Sequence, residues 1–170
     1  MYIFCSKALA ESLKINRKDL KKISDTEIVD QFYSWHGHIA KVQGKNTIVL
    51  MNDKTMYSLI FRNKLPRKAE KLVEMIPEAI SFTMEVGGLN YAEIDKYMEG
   101  TGEIIFAEKP DRQMTGNLTR MMLDMEYTGH RWFDDETVQA DQAAFENNLL
   151  RKMDKDYIKP FEQMLDELTR

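Results

Sequence analysis

Between His36 and Phe61 the chain alternates β-branched and aromatic runs with short polar clusters, and this pattern constrains the fold more than any other. His36 to Val42, Thr47 to Met51 and Thr55 to Phe61 are separated by Gly44-Lys45-Asn46 and Asn52-Asp53-Lys54. Runs of this length are strands, and the clusters between them carry the residues that tight turns select. Three strands joined by two short turns can only be neighbours in an antiparallel meander. Within it, Ile48, Leu50 and the alternate positions of their neighbours should face helices.

Around the meander the periodicity is mostly helical. Tyr2 to Cys5 reads as a strand, Ser6 as the cap of a helix carrying Leu9 and Leu13, and Ile104 to Ala107 as a further strand. Pro66 suits a first helical turn, and Leu72, Ile76, Ala79, Ile80 and Thr83 follow at helical spacing; Pro77 should kink that helix or split it into two in tandem. Asn90 can cap a helix that Gly100 and Gly102 close. After Pro110, Met114, Leu118, Met121, Met122 and Met125 fall on one face of a helix ending near Gly129. Two last helices are expected, one carrying Val138, Ala144, Phe145, Leu149 and Met153, the other Phe161, Met164, Leu165 and Leu168. The fold class is therefore α+β: an antiparallel sheet, made of the meander plus one or two further strands, packed against several helices. Residues 1–170 are read as a single domain, with 130–170 a helical C-terminal extension of it.

Charge and cysteine content narrow the function. Twenty-four Lys and Arg against twenty-eight Asp and Glu give a net charge of −4, which repels a phosphate backbone. Two basic segments, Lys14 to Lys22 and Arg62 to Lys71, are the places where nucleic acid could still be touched, although solvated surface explains them as well. The one cysteine, Cys5, cannot form an internal disulfide, so a reducing cytoplasm is expected. The longest apolar run, Met1 to Cys5, is far short of the ~18 residues a span requires, so no membrane partner is expected and Met1 is read as the true start.

The segments Ser34-Trp35-His36-Gly37-His38, Val49-Leu50-Met51-Asn52-Asp53-Lys54-Thr55 and Asp111-Arg112-Gln113-Met114-Thr115-Gly116, with the first strand and helix, resemble a family of bacterial and phage proteins catalogued only as a domain of unknown function. The resemblance covers about the first three quarters of the chain and fades after Tyr127. It departs from the family pattern at His38, where Asn is usual, and at Thr119-Arg120, where an Asn-Asp pair is usual. No activity is implied; an accessory role of phage or mobile-element origin is suggested by association alone.

His36 and His38, two apart on a strand, point to one face and could chelate a divalent metal, with Asp53 across the turn or His130 as a third ligand. Histidines bonded to neighbouring polar groups are the plainer alternative. Trp35 can anchor the sheet on its helices, and Asn52, Asp53 and Thr55 can build either a turn or an acid–base site. Arg112, Gly116 and Arg120 recur at four-residue spacing on a helix face and could contact an anion. Cys5 is a nucleophile only if a base such as His36 lies beside it. No Gly-x-Ser-x-Gly elbow, Gly-rich phosphate loop or paired Cys motif occurs. The leading expectation is a non-catalytic binding or accessory protein that needs no cofactor and meets another protein through its sheet edge or Met-rich helix. The alternatives are a metal-dependent hydrolase centred on His36, His38 and Asp53, and a regulator that contacts nucleic acid.

Overall fold

The computed structural model describes residues 1–24, 26–108 and 111–170. Its centre is the expected meander: β3 (Ser34–Val42), β4 (Lys45–Asn52) and β5 (Ser58–Arg62), antiparallel throughout, with Leu50 opposite Gly37 on one side and Leu59 on the other. Gln43 and Gly44, both at positive φ, form the first turn, one residue earlier than the polar cluster suggests. Such a two-residue loop matches the twist of the strands it joins. Gln43 tolerates the strained backbone because its side-chain amide donates to the carbonyls of Glu126 and Gly129, at 3.2 and 2.7 Å. At the second turn, β5 begins three residues later than expected. The Asn52 side chain holds Lys54 and Thr55 in the turn instead of releasing them to the strand.

The sheet is mixed rather than antiparallel. β1 (Tyr2–Cys5) lies parallel to β3, and on its other side β6 (Ile105–Glu108) and then β2 (Lys21–Lys22) continue in parallel, giving the order β2-β6-β1-β3-β4-β5. Three strands are thus added to the meander, not one or two.

Both faces of this sheet are covered, which is why β4 reads as a continuous apolar run instead of alternating. Ile3, Trp35, Ile48, Leu50, Leu59 and Phe61 meet α1 (Lys7–Ser12), α2 (Ala69–Gly87), α3 (Tyr91–Thr101) and α6 (Pro160–Thr169) in one core. Val42, Val49, Met51 and Ile60 meet α4 (Arg112–Thr128) and Ala143 of α5 (Ala140–Asn147) in a second. Gly37 lets α1 approach the sheet: a Cβ there would stand 2.6 Å from Leu9 Cδ2 and 2.8 Å from Leu50 Cδ2.

Several local expectations hold. Ser6 caps α1 by accepting from Leu9 N at 3.1 Å, and Asn90 and Glu93 form a capping box on α3. The Met face of α4 is buried, while Pro110 lies outside the described residues. Others are corrected. Of the two outcomes expected at Pro77, the split is excluded, because α2 runs through it as one helix; that helix begins at Ala69, so Pro66 lies before its first turn. The segment 130–170 is not all helix: between α5 and α6 it makes a two-stranded ribbon, β7 (Arg151–Met153) with β8 (Asp156–Ile158). Val138 is no part of a helix, because it bridges to Phe61. Together with the bonds from Arg62 N to Thr137 O and from Gln139 N to Ile60 O, that bridge covers the β5 edge of the sheet. No helix among the described residues is long and apolar enough to cross a membrane.

Candidate functional site

β1 and β6 are adjacent and parallel, yet β1 leads to α1 on one face of the sheet and β6 leads towards α4 on the other. Neighbouring strands whose carboxyl ends are followed by helices on opposite faces leave a crevice between those helices, where ligands of parallel sheets bind. A cleft of about 550 Å3 lies there, lined by Phe4, Ser6 and Ala10 from β1 and α1, His36 and His38 from β3, Glu108 from β6, and Asp111, Thr115 and Leu118 at the start of α4. A smaller cavity of about 210 Å3 adjoins it, lined among others by Ser34, His36, Asp53, Asp111, Asn117 and Asp154. His36 and Asp111 border both.

His36 is 6% exposed and bonded through Nδ1 to Asp53 Oδ1 at 2.6 Å, with the Phe4 ring 4.9 Å from its own. The carboxylate is an acceptor only, so Nδ1 donates, and in the neutral ring Nε2 carries the lone pair. That nitrogen is buried and has no hydrogen-bond partner among the described residues. A buried polar atom of this kind calls for a partner that completes it.

His38 shares the face, as the two-residue spacing requires, but not the partner. Its Nδ1 stands 2.8 Å from Ser6 Oγ, which also accepts from Leu9 N. Burial pulls the His38 pKa below its ordinary 6.5. The folded protein therefore favours the neutral ring, a contribution to stability that is complete above pH 6.5 and declines as pH falls below it. An NMR titration should give His38 a pKa below 6.5, and His38→Gln should flatten the acid side of the stability profile; a value above 6.5 would contradict this placement.

Asp53 reaches His36 and not His38, and His130 packs its ring 5.2 Å from Phe145. Among the described residues no three His, Cys, Asp or Glu side chains come together to hold a metal ion. Burial pushes the Cys5 thiol up to about 12, so its thiolate is scarce at neutral pH.

The other candidates divide between packing and surface. Trp35 is core: its Nε1 donates to Tyr97 Oη at 3.0 Å, and Tyr97 donates to Phe32 O. Asn52 and Thr55 are buried and build the second turn. Asn52 Nδ2 donates to Phe32 O and Ser34 O, and its Oδ1 accepts from Lys54 N, Thr55 N and Thr55 Oγ1. Arg112, Gly116 and Arg120 are exposed and border a shallow groove along α4. In the basic segments, Arg17 is paired with Glu108 and Lys21 with Glu27. Arg62 leaves the second segment altogether, buried with its guanidinium over the Trp132 ring. Ser6, Phe4 and Asp111 also line the cleft, and sequence reasoning did not single them out as site residues. Their signal was topological, since only the parallel pairing of β1 and β6 brings them together.

The model of one protein family, a domain of unknown function, matches residues 2–163. The chain belongs to this family, DUF6933. The DUF6933 match runs well beyond Tyr127 and takes in the ribbon and the first turn of α6, so the earlier limit of the resemblance is corrected. No curated protein matches the chain.

Proposed function

We propose that this DUF6933 protein binds a small molecule in the cleft between α1 and α4, at the carboxyl ends of β1 and β6. One observation carries the reading. His36 is buried at the wall of two adjoining cavities, with Asp53 on one nitrogen and, among the described residues, no hydrogen-bond partner on the other. The larger of the two cavities that His36 borders has the volume of a small-molecule site. The two protein-docking surfaces expected from the sequence have less to support them. The Met face of α4 is spent on the core, and the β5 edge is covered by residues 137–139.

The test is thermal unfolding in a small-molecule extract of cells. A ligand present at a hundred times its Kd should raise the melting temperature of the wild-type chain by about 5–10 °C. Thr115→Trp, which adds an indole to an exposed position on the cleft lining, should abolish the rise. An equal rise in both proteins would place the ligand elsewhere.

A further inference from the structure

We propose a second binding site, for a small oxyanion carried on an apolar body, in the hollow between α4 and the β7–β8 ribbon. This cavity of about 570 Å3 adjoins the smaller one but shares no lining residue with the cleft. Its most telling residue is Gly116. A glycine in the exposed interior of a helix costs stability relative to alanine, because it has more backbone freedom to lose. Nothing inside this chain accounts for that cost: α4 runs through the position, and a Cβ on Gly116 would meet no atom within 4 Å. The missing side chain leaves the helix backbone open to an approach from outside. It does so where the cavity meets the shallow groove along α4, since Gly116 and Arg120 border both.

The side chains around that opening set the class of ligand. Arg120 and Lys152 line the cavity, and neither side chain has an ion pair or hydrogen bond among the described residues. The third cation, Arg151, is taken up by Asp124 and Glu146. Of the two carboxylates on the lining, Asp124 is that same partner, and Asp154 accepts from Gln113 Nε2 at 2.7 Å. What is left over is a set of donors without acceptors: a guanidinium, whose N–H groups form a fork that suits an oxyanion, and an ammonium. Leu150 and Tyr157, both exposed, line the same hollow and give the apolar body a wall to lie against.

The experiment titrates phenyl phosphate, benzoate, benzyl alcohol and benzylamine into the full chain and follows the Gly116 amide and the Tyr157 ring by NMR. Phenyl phosphate or benzoate should move both saturably and bind at least about tenfold more tightly than the alcohol or the amine, the ratio one charge-assisted hydrogen bond supports. Whichever of the two binds tighter names phosphate or carboxylate as the head group. Arg120→Gln should weaken that binding about tenfold without lowering the melting temperature. Gly116→Leu puts a good helix former into the opening. It should keep or raise the melting temperature and still cost at least about tenfold in affinity, a pairing that a glycine without a role in binding would not produce. Alcohol or amine binding as tightly as the oxyanions would overturn the proposal. So would undiminished binding in Gly116→Leu, or no shift at Gly116 and Tyr157 at millimolar concentration. Probes that move Phe4 and His38 instead occupy the cleft, a result that overturns this site and supports the other.

Discussion

Asn52→Ala should cost the fold about 3–5 kcal/mol, a large fraction of the stability of an ordinary domain. The side chain is fully buried and makes five hydrogen bonds, two donated to the carbonyls of Phe32 and Ser34 and three accepted from Lys54 and Thr55. Truncation strands the buried Thr55 amide and leaves its hydroxyl without this acceptor, and each orphan costs more than the bond itself was worth. Asn52→Asp should be almost as harmful, because a carboxylate oxygen would then face the Phe32 and Ser34 carbonyls. Urea denaturation is the measurement: the midpoint should fall while the slope stays constant. A loss below about 1 kcal/mol would mean that the turn is held by other contacts. The effect reaches the site as well, because Asp53 is the next residue and its position against His36 depends on this turn.

A loss of about 3–5 kcal/mol is also expected for Arg151→Met, for a different reason. Arg151 Nη2 pairs with Glu146, which is 1% exposed, and Nη1 pairs with Asp124 at 2.9 Å. Gln142 Nε2 donates to the same Glu146 at 2.8 Å, and Thr128 Oγ1 bonds it too. Removing the guanidinium leaves a carboxylate in the interior with neutral donors only. The double change Arg151→Met with Glu146→Gln should recover much of the loss, giving a coupling of about 2 kcal/mol or more in a double-mutant cycle. Additive losses would show that the pair does not act as a unit. This network ties the β7–β8 ribbon to α4 and α5, and it spends the buried guanidinium bordering the cavity of about 570 Å3 near Tyr157, which adjoins the smaller one through Met56, Gln113, Asn117 and Asp154.

The meander was legible because its strands are long and their turns carry turn residues; even the covering of both faces is written in the unbroken run Ile48-Val49-Leu50-Met51. The parallel half was not. β2 is two exposed lysines, and β7 and β8 are three residues each, too short for any alternation to register. Parallel pairing leaves no local mark at all, since the partners of β1 lie some thirty and a hundred residues away. Consequently the site was half visible. His36, His38 and Asp53 drew attention as residue types, but the metal reading needed a convergence that the turn prevents: it brings Asp53 to His36, while the cap of α1 takes His38. Asn52, Thr55 and Trp35 stood out as polar or aromatic oddities and are explained by a turn and a core. Ser6, Phe4 and Asp111 went unnoticed because a cap, a strand hydrophobe and another cap look ordinary until β1 and β6 are set side by side.

The most direct test of the cleft is the state of the His36 ring with and without a small-molecule extract of cells, followed by long-range proton–nitrogen correlation. Occupancy predicts that Nε2 shifts while Nδ1, held by Asp53, moves little, and that Thr115→Trp suppresses the change. An extract that alters resonances elsewhere in the chain and leaves both His36 nitrogens in place would contradict the account.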